Sequence, residues 1–136
     1  MDFFKSLNIS VCGLRVQGAR VRINSGNLAN SNSIPQTTGS EPCWRKVITF
    51  ANAMDRMLDV ELVKVKNIAA NPSDFGRRFE PAHPLADAGS YVPTPNVSTL
   101  VEMSDIREVQ RSYEANLRAI QSARGMLEQT IWILRT

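Results

Sequence analysis

The chain has 136 residues, 43% of them hydrophobic, and carries a net charge of +3. It holds no apolar run near the roughly 20 residues that a bilayer-spanning helix requires. Regular apolar patterns at both ends exclude wholesale disorder. The charge surplus is entirely N-terminal: residues 1–34 hold Lys5, Arg15, Arg20 and Arg22 against Asp2, whereas residues 35–97 and 98–136 are each balanced. Three arginines on one helix are a thin footprint for nucleic acid, where a basic stripe is expected. A solvated or assembly surface of mixed charge fits this distribution better.

The opening Met1-Asp2-Phe3-Phe4-Lys5 has an acid at position 2 and lacks the apolar core of a secretory signal, so no cleavable signal peptide is expected. From Asp2 to Asn30 the chain reads as a long helix. Its seam runs Phe4, Leu7, Val11, Leu14, Gly18, Val21, Ser25, Leu28, alternating steps of three and four through four heptads. Gly18 and Gly26 each cost about 1 kcal/mol of helix propensity relative to Ala, so this helix is expected to be marginal alone. The polar run Asn30-Ser31-Asn32-Ser33 and then Pro35 stop it.

Residues 35–96 contain all seven prolines and are expected to form an irregular, β-containing lobe. Trp44–Phe50 and Val60–Ile68 read as strands, with Phe75–Phe79 as a candidate third. In the second, Val63-Lys64-Val65-Lys66 alternates as a strand with one buried face would. From Val97 a second helix without proline runs to the end, with Asn96 or Ser98 as N-cap and Glu102 and Asp105 in its early turns. Its seam takes Ile106, Val109, Tyr113, Asn116, Ile120, Ala123, Leu127, Thr130 and Leu134, widened by Leu117, Ile131 and Ile133.

The expected fold class is therefore α+β: an N-terminal helix (1–34) and a C-terminal helix (97–136) pairing as a coiled coil, with a small Pro-rich β lobe (35–96) between them. Helices of about 30 and 38 residues reach roughly 45–57 Å. So small a lobe cannot cover both stripes, and burial against other subunits is expected.

Particular residues carry a family likeness. Gly13-Leu14, Gln17 and Asn27-Leu28-Ala29-Asn30 resemble the N-terminal motif of bacterial flagellar axial proteins. His83-Pro84-Leu85-Ala86-Asp87, Tyr91-Val92 and Pro95-Asn96-Val97 are similar to a block of the proximal-rod members of that family, as are Glu102-Met103 and Arg111-Ser112-Tyr113-Glu114-Ala115-Asn116. The likeness covers nearly the whole chain and is weakest over about 50–80. Ser90 departs from it, standing where the family has Gly before Tyr-Val.

The resemblance implies a structural subunit of the flagellar basal-body rod, the hollow drive shaft that carries motor torque through the periplasm. It implies export through the flagellar type III apparatus, and terminal helices that pack as an inner coiled-coil layer. Other copies of this chain and other rod proteins are the expected partners, with no cofactor, no metal, no nucleic acid and no membrane insertion. The expected assembly interface is Phe4, Leu7, Val11, Leu14, Val21, Asn27, Leu28, Asn30, Ile106, Val109, Tyr113, Asn116, Ile120, Leu127 and Leu134. An alternative is a basic amphipathic helix that binds membrane or nucleic acid through Arg15, Arg20 and Arg22.

Other residues invite lesser readings. His83 and Asp87 are too few to hold zinc or iron and are expected to stabilise a turn. Asn24, Asn27 and Asn30 are read either as hydrogen-bonding groups at an interface or as residues that merely weaken the helix end. Arg111 and Glu114 suit exposed salt bridges between subunits, which contribute little. Cys12 and Cys43 form no CxxC motif; they could pair in an oxidising compartment, but free and buried thiols are the expected reading. No nucleophile–base pair or phosphate loop occurs, so catalysis is not expected.

Overall fold

The computed structural model describes residues 3–37 and 39–135. The expected helix start at Asp2 and chain end at Thr136 lie outside the described residues. Helix α1 (Phe3–Ala29) leads to the strands β1 (Lys46–Asp55), β2 (Val60–Ala70), β3 (Gly76–Phe79) and β4 (Tyr91–Thr94), and α2 (Thr99–Arg135) follows. This is two long helices flanking a small β region, an α+β arrangement.

The helices run antiparallel. Gly13 lies against Asn116, Arg20 against Asp105 and Glu108, and Asn27 against Glu102, so one index falls as the other rises. Gly13 is the close approach: a Cβ built there would stand 2.8 Å from the Asn116 amide nitrogen. Continued to the start of α1, this register sets Phe3 level with the turn around Met126. The remaining turns of α2, from Leu127, extend past the described part of α1 by roughly 13 Å at 1.5 Å per residue. The end of α1 is closed by its own polar run. The Asn30 amide and backbone N–H both donate to the Gly26 carbonyl, and Ser31 donates twice to Leu28. At α2 the first helical bond runs from the Glu102 N–H to the Ser98 carbonyl, which makes Ser98 the cap. The Asn96 side chain is occupied elsewhere.

Each β unit is a two-stranded antiparallel hairpin. In the first, Lys46 pairs with Ala70 and Asp55 with Val60, and the register slips between Thr49 and Phe50, where Lys66 is the extra residue on β2. The Asp55 carboxylate accepts the N–H groups of Met57 and Leu58 and so folds the turn, completed by Asp59 at φ 52°. The strand expected at 44–50 therefore starts later and runs five residues further. The alternation in β2 does not mark a buried face. Val63 and Val65 lie along α1 beside Cys12 and Val16, yet both stay exposed like Lys64 and Lys66. α1 packs along this hairpin, yet Leu62 is the one buried residue of β2, because a two-stranded ribbon without a second layer leaves most of its surface open.

The second hairpin pairs Gly76 with Thr94 and Phe79 with Tyr91. β4 is not among the strands expected from the sequence, and Pro93 falls within it. The proline is tolerated here because β4 has only one partner. The loop from Glu80 to Ser90 is organised by Asp87, whose carboxylate accepts the N–H groups of Gly89 and Tyr91, while His83 Nδ1 accepts from the Leu85 N–H. His83 is thus part of a turn, as expected. Of the cysteines, both are free, but the expectation of burial fails: Cys43 is exposed on the approach to β1, and Cys12 is half-buried.

The core is small. Val16, Leu62, Val92, Val109 and Ala123 are the buried aliphatic side chains among the described residues, alongside Pro42 and Pro95. Local strain sits at Ser90, whose φ of 65° lies in the left-handed region that favours glycine. Ser90→Gly is predicted to stabilise the chain by about 0.5 kcal/mol, the relieved strain less the added freedom of the unfolded state. Chemical denaturation of the two proteins checks this, and a loss of stability would contradict it.

Candidate assembly interface

Three elements meet at one buried polar joint. Asn27, in the last turn of α1, treats β1 as a neighbouring strand would. Its Oδ1 accepts the Lys46 N–H at 2.9 Å and its Nδ2 donates to the Lys46 carbonyl at 2.8 Å. The same Nδ2 donates to Glu102 Oε2 at 3.2 Å, on the first turn of α2. Glu102 is fully buried, and its other oxygen accepts from Arg45 Nε at 2.6 Å. The Arg45 N–H donates to Asn96 Oδ1, and the Asn96 amide donates onward to Asn71 and Ser73. One connected network therefore fixes α1, both ends of the first hairpin and the approach to α2.

A carboxylate wholly removed from water is tolerable only while paired and hydrogen-bonded. In the sequence Glu102 reads only as a helix-dipole partner at the start of α2. Arg45 is 57 residues away in the chain, and no local spacing announces such a pair.

The expected interface residues divide sharply. Asn27 and Val109 are buried within the single chain. Leu7, Leu14, Val21, Leu28, Ile106, Asn116, Ile120 and Leu127 are half-buried, and Phe4, Val11, Asn30, Tyr113 and Leu134 are exposed. The face of α1 turned to α2 is displaced by about one residue from the seam that starts at Phe4. It uses Ser10, Gly13, Arg20, Asn24 and Asn27, a largely small and polar set. Much of the apolar stripe therefore points away from the partner helix. Of the three asparagines, Asn27 joins the network, Asn30 closes its own helix, and the buried Asn24 leaves its Nδ2 without a hydrogen-bond partner.

Near its far end α2 carries four consecutive apolar residues, Ile131, Trp132, Ile133 and Leu134, each more than 60% exposed. No described helix is long and apolar enough to cross a membrane. The three arginines of α1 do not form a stripe, since Arg20 is drawn between Asp105 and Glu108. Among the described residues no group of three or more His, Cys, Asp or Glu side chains could hold a metal ion.

Truncating Glu102 to Ala leaves Arg45 and Asn27 facing an empty acceptor site. We predict a loss of about 3 kcal/mol, the usual cost of breaking a buried ion pair. In a chain this size that lowers the melting midpoint by roughly 10 °C. Thermal melts followed by circular dichroism check it, and a midpoint within about 1 °C of wild type would contradict it.

The family profile "Flagellar basal body rod FlgEFG protein C-terminal" matches residues 88–131, the segment from the second hairpin through most of α2. Along the whole chain there are relatives named flagellar basal-body rod protein FlgC. The one from Agrobacterium fabrum is 42% identical over 127 residues, covering 93% of this chain and 91% of its own length. Those from Bacillus subtilis and Aquifex aeolicus are 34% and 33% identical, with 98% and 96% of this chain covered. The likeness thus spans α1, the joint at Asn27 and Glu102, and α2 together, and the chain belongs to the FlgC family of flagellar basal-body rod proteins.

Proposed function

We propose that this structural subunit of the flagellar basal-body rod is built into the shaft through the outward stripes of α1 and α2, which neighbouring subunits cover as a coiled-coil layer. The observation that carries this is exposure that persists after the chain's own helices have paired. Phe4 remains 69% exposed and Leu134 82%, and most of the seam between them is only half-covered. Fully burying one such side chain stabilises by about 1.5–3 kcal/mol, so the stripes represent a large association energy held in reserve.

The geometry suits a drive shaft in the periplasm. Many shallow apolar contacts repeated between neighbours, joined by interfaces that do not close into a ring, generate helical tubes that distribute torsional load. Export through the flagellar type III apparatus fits a chain whose helices are marginal until they are packed. Other rod proteins and further copies of this chain are the partners in this reading. The three segments 1–34, 35–96 and 97–136 act as inner helix, outer β region and inner helix.

Leu14→Asp and Leu127→Asp each place a charge in the stripe at a half-covered position. We predict that either variant keeps the helical circular-dichroism signal of the wild-type monomer while its recovery in purified basal bodies falls at least tenfold. Normal incorporation of both variants would contradict the assignment of the stripes to subunit contacts.

A further inference from the structure

Between α1, β1 and α2, next to the buried joint but outside its hydrogen bonds, lies an open cleft of about 300 Å³. Arg20, Asn24, Arg45, Lys46 and Asp105 line it, with Phe50 among its apolar walls. Its polar lining is rich in donors and poor in acceptors. Asn24 is 95% buried by its 5% relative exposure, and its Nδ2 has no hydrogen-bond partner. Leaving such a donor unmet costs free energy, and buried polar groups without partners are rare enough to call for a reason.

Arg20 stands 3.8 Å from Asp105 and 3.6 Å from Glu108, beyond hydrogen-bonding distance to either. Arg45, by contrast, commits its Nε to Glu102 at 2.6 Å. Its guanidinium carries further N–H groups, and Lys46 adds a flexible ammonium at the rim. Asp105 is the one acid in the lining.

We propose that this cleft is an oxyanion site that takes a carboxylate. A carboxylate supplies two oxygens with about four acceptor positions. One oxygen satisfies the Asn24 amide and the other bridges to Arg20, whose planar fork suits carboxylates. Phe50 gives the site a dry wall, which strengthens such contacts. Nothing in the seam of the terminal helices requires this site; it lies at the angle between the helix pair and the hairpin. In the rod the carboxylate comes from an acidic side chain of an adjoining subunit, and that source rests on the function proposed above. The site itself does not.

The test uses the full chain as wild type, Asn24→Leu and Arg20→Gln, with two readouts. The first is the melting midpoint in acetate or inorganic phosphate at constant ionic strength. The second is recovery of each variant in basal bodies. If a neighbour supplies the carboxylate, Asn24→Leu melts at or above the wild-type midpoint, because an unmet donor has been removed, yet its incorporation falls at least tenfold. If a free anion fills the cleft, acetate or phosphate raises the wild-type midpoint by about 3 °C or more but leaves Asn24→Leu unmoved, with incorporation intact. Should Asn24→Leu melt below wild type, Arg20→Gln decides by the same two readouts. Normal incorporation together with anion shifts that are absent, or equal in wild type and variant, overturns the proposal. Failure of the wild-type chain itself to appear in basal bodies would refute the rod reading, while the anion titration would still judge the site.

Discussion

Two helices laid side by side share a single seam, and everything else in this molecule follows from how little that seam can bury. A helix dries only the side chains that face its partner, and apolar residues elsewhere on its circumference stay wet unless a third body arrives. Here the shared seam is built largely from small and polar residues around Ser10, Gly13, Asn24 and Asn27, with Val16, Val109 and Ala123 as its buried aliphatics. That choice brings the backbones close and leaves larger residues such as Phe4, Val11, Leu117 and Leu134 outside. The hairpins compensate little, because each has only two strands and contributes a single buried aliphatic side chain, Leu62 or Val92. The surfaces thus divide into a seam that sets the geometry of the pair and apolar residues left exposed beside it.

The buried joint has a different task. Apolar contacts alone would let the hairpin rock on a thin helix pair, since they carry little directional preference. The pairing of Asn27 with both backbone groups of Lys46, and of Glu102 with Arg45, is directional and conditional on every partner being present. It ties the orientation of the first hairpin to the register of the helices. Moving one element against the others therefore strains hydrogen bonds of 2.6–3.2 Å.

Much of this was legible in the sequence, for identifiable reasons. The two helices declare themselves by heptad spacing and by the confinement of proline to residues 35–95. The motif residues Asn27, Asn96 and Glu102 stood inside the blocks that carry the family likeness, and all three prove to be members of one network. The face of α1 is harder to read than that of α2, whose expected seam includes the buried Val109 and Ala123 and the Asn116 that lies against Gly13. A seam assigned by hydrophobicity finds the stripe, whereas the intramolecular contact prefers small residues one position away. β4 carries Pro93, which weakens its strand signal, and the Val-Lys alternation of β2 has the same period whether or not one face is buried. The Arg45–Glu102 pair was invisible because it closes across 57 residues.

Amide hydrogen exchange, compared between the isolated chain in dilute solution and the same chain in purified basal bodies, bears on whether the terminal helices are completed only by neighbours. If they are, amides of Phe3–Ala29 and of the turns beyond Leu127 exchange at least about 100-fold faster in the isolated chain than in the basal body. Equal protection of both helices in the two states would show that the chain dries its own stripes, and would contradict this account.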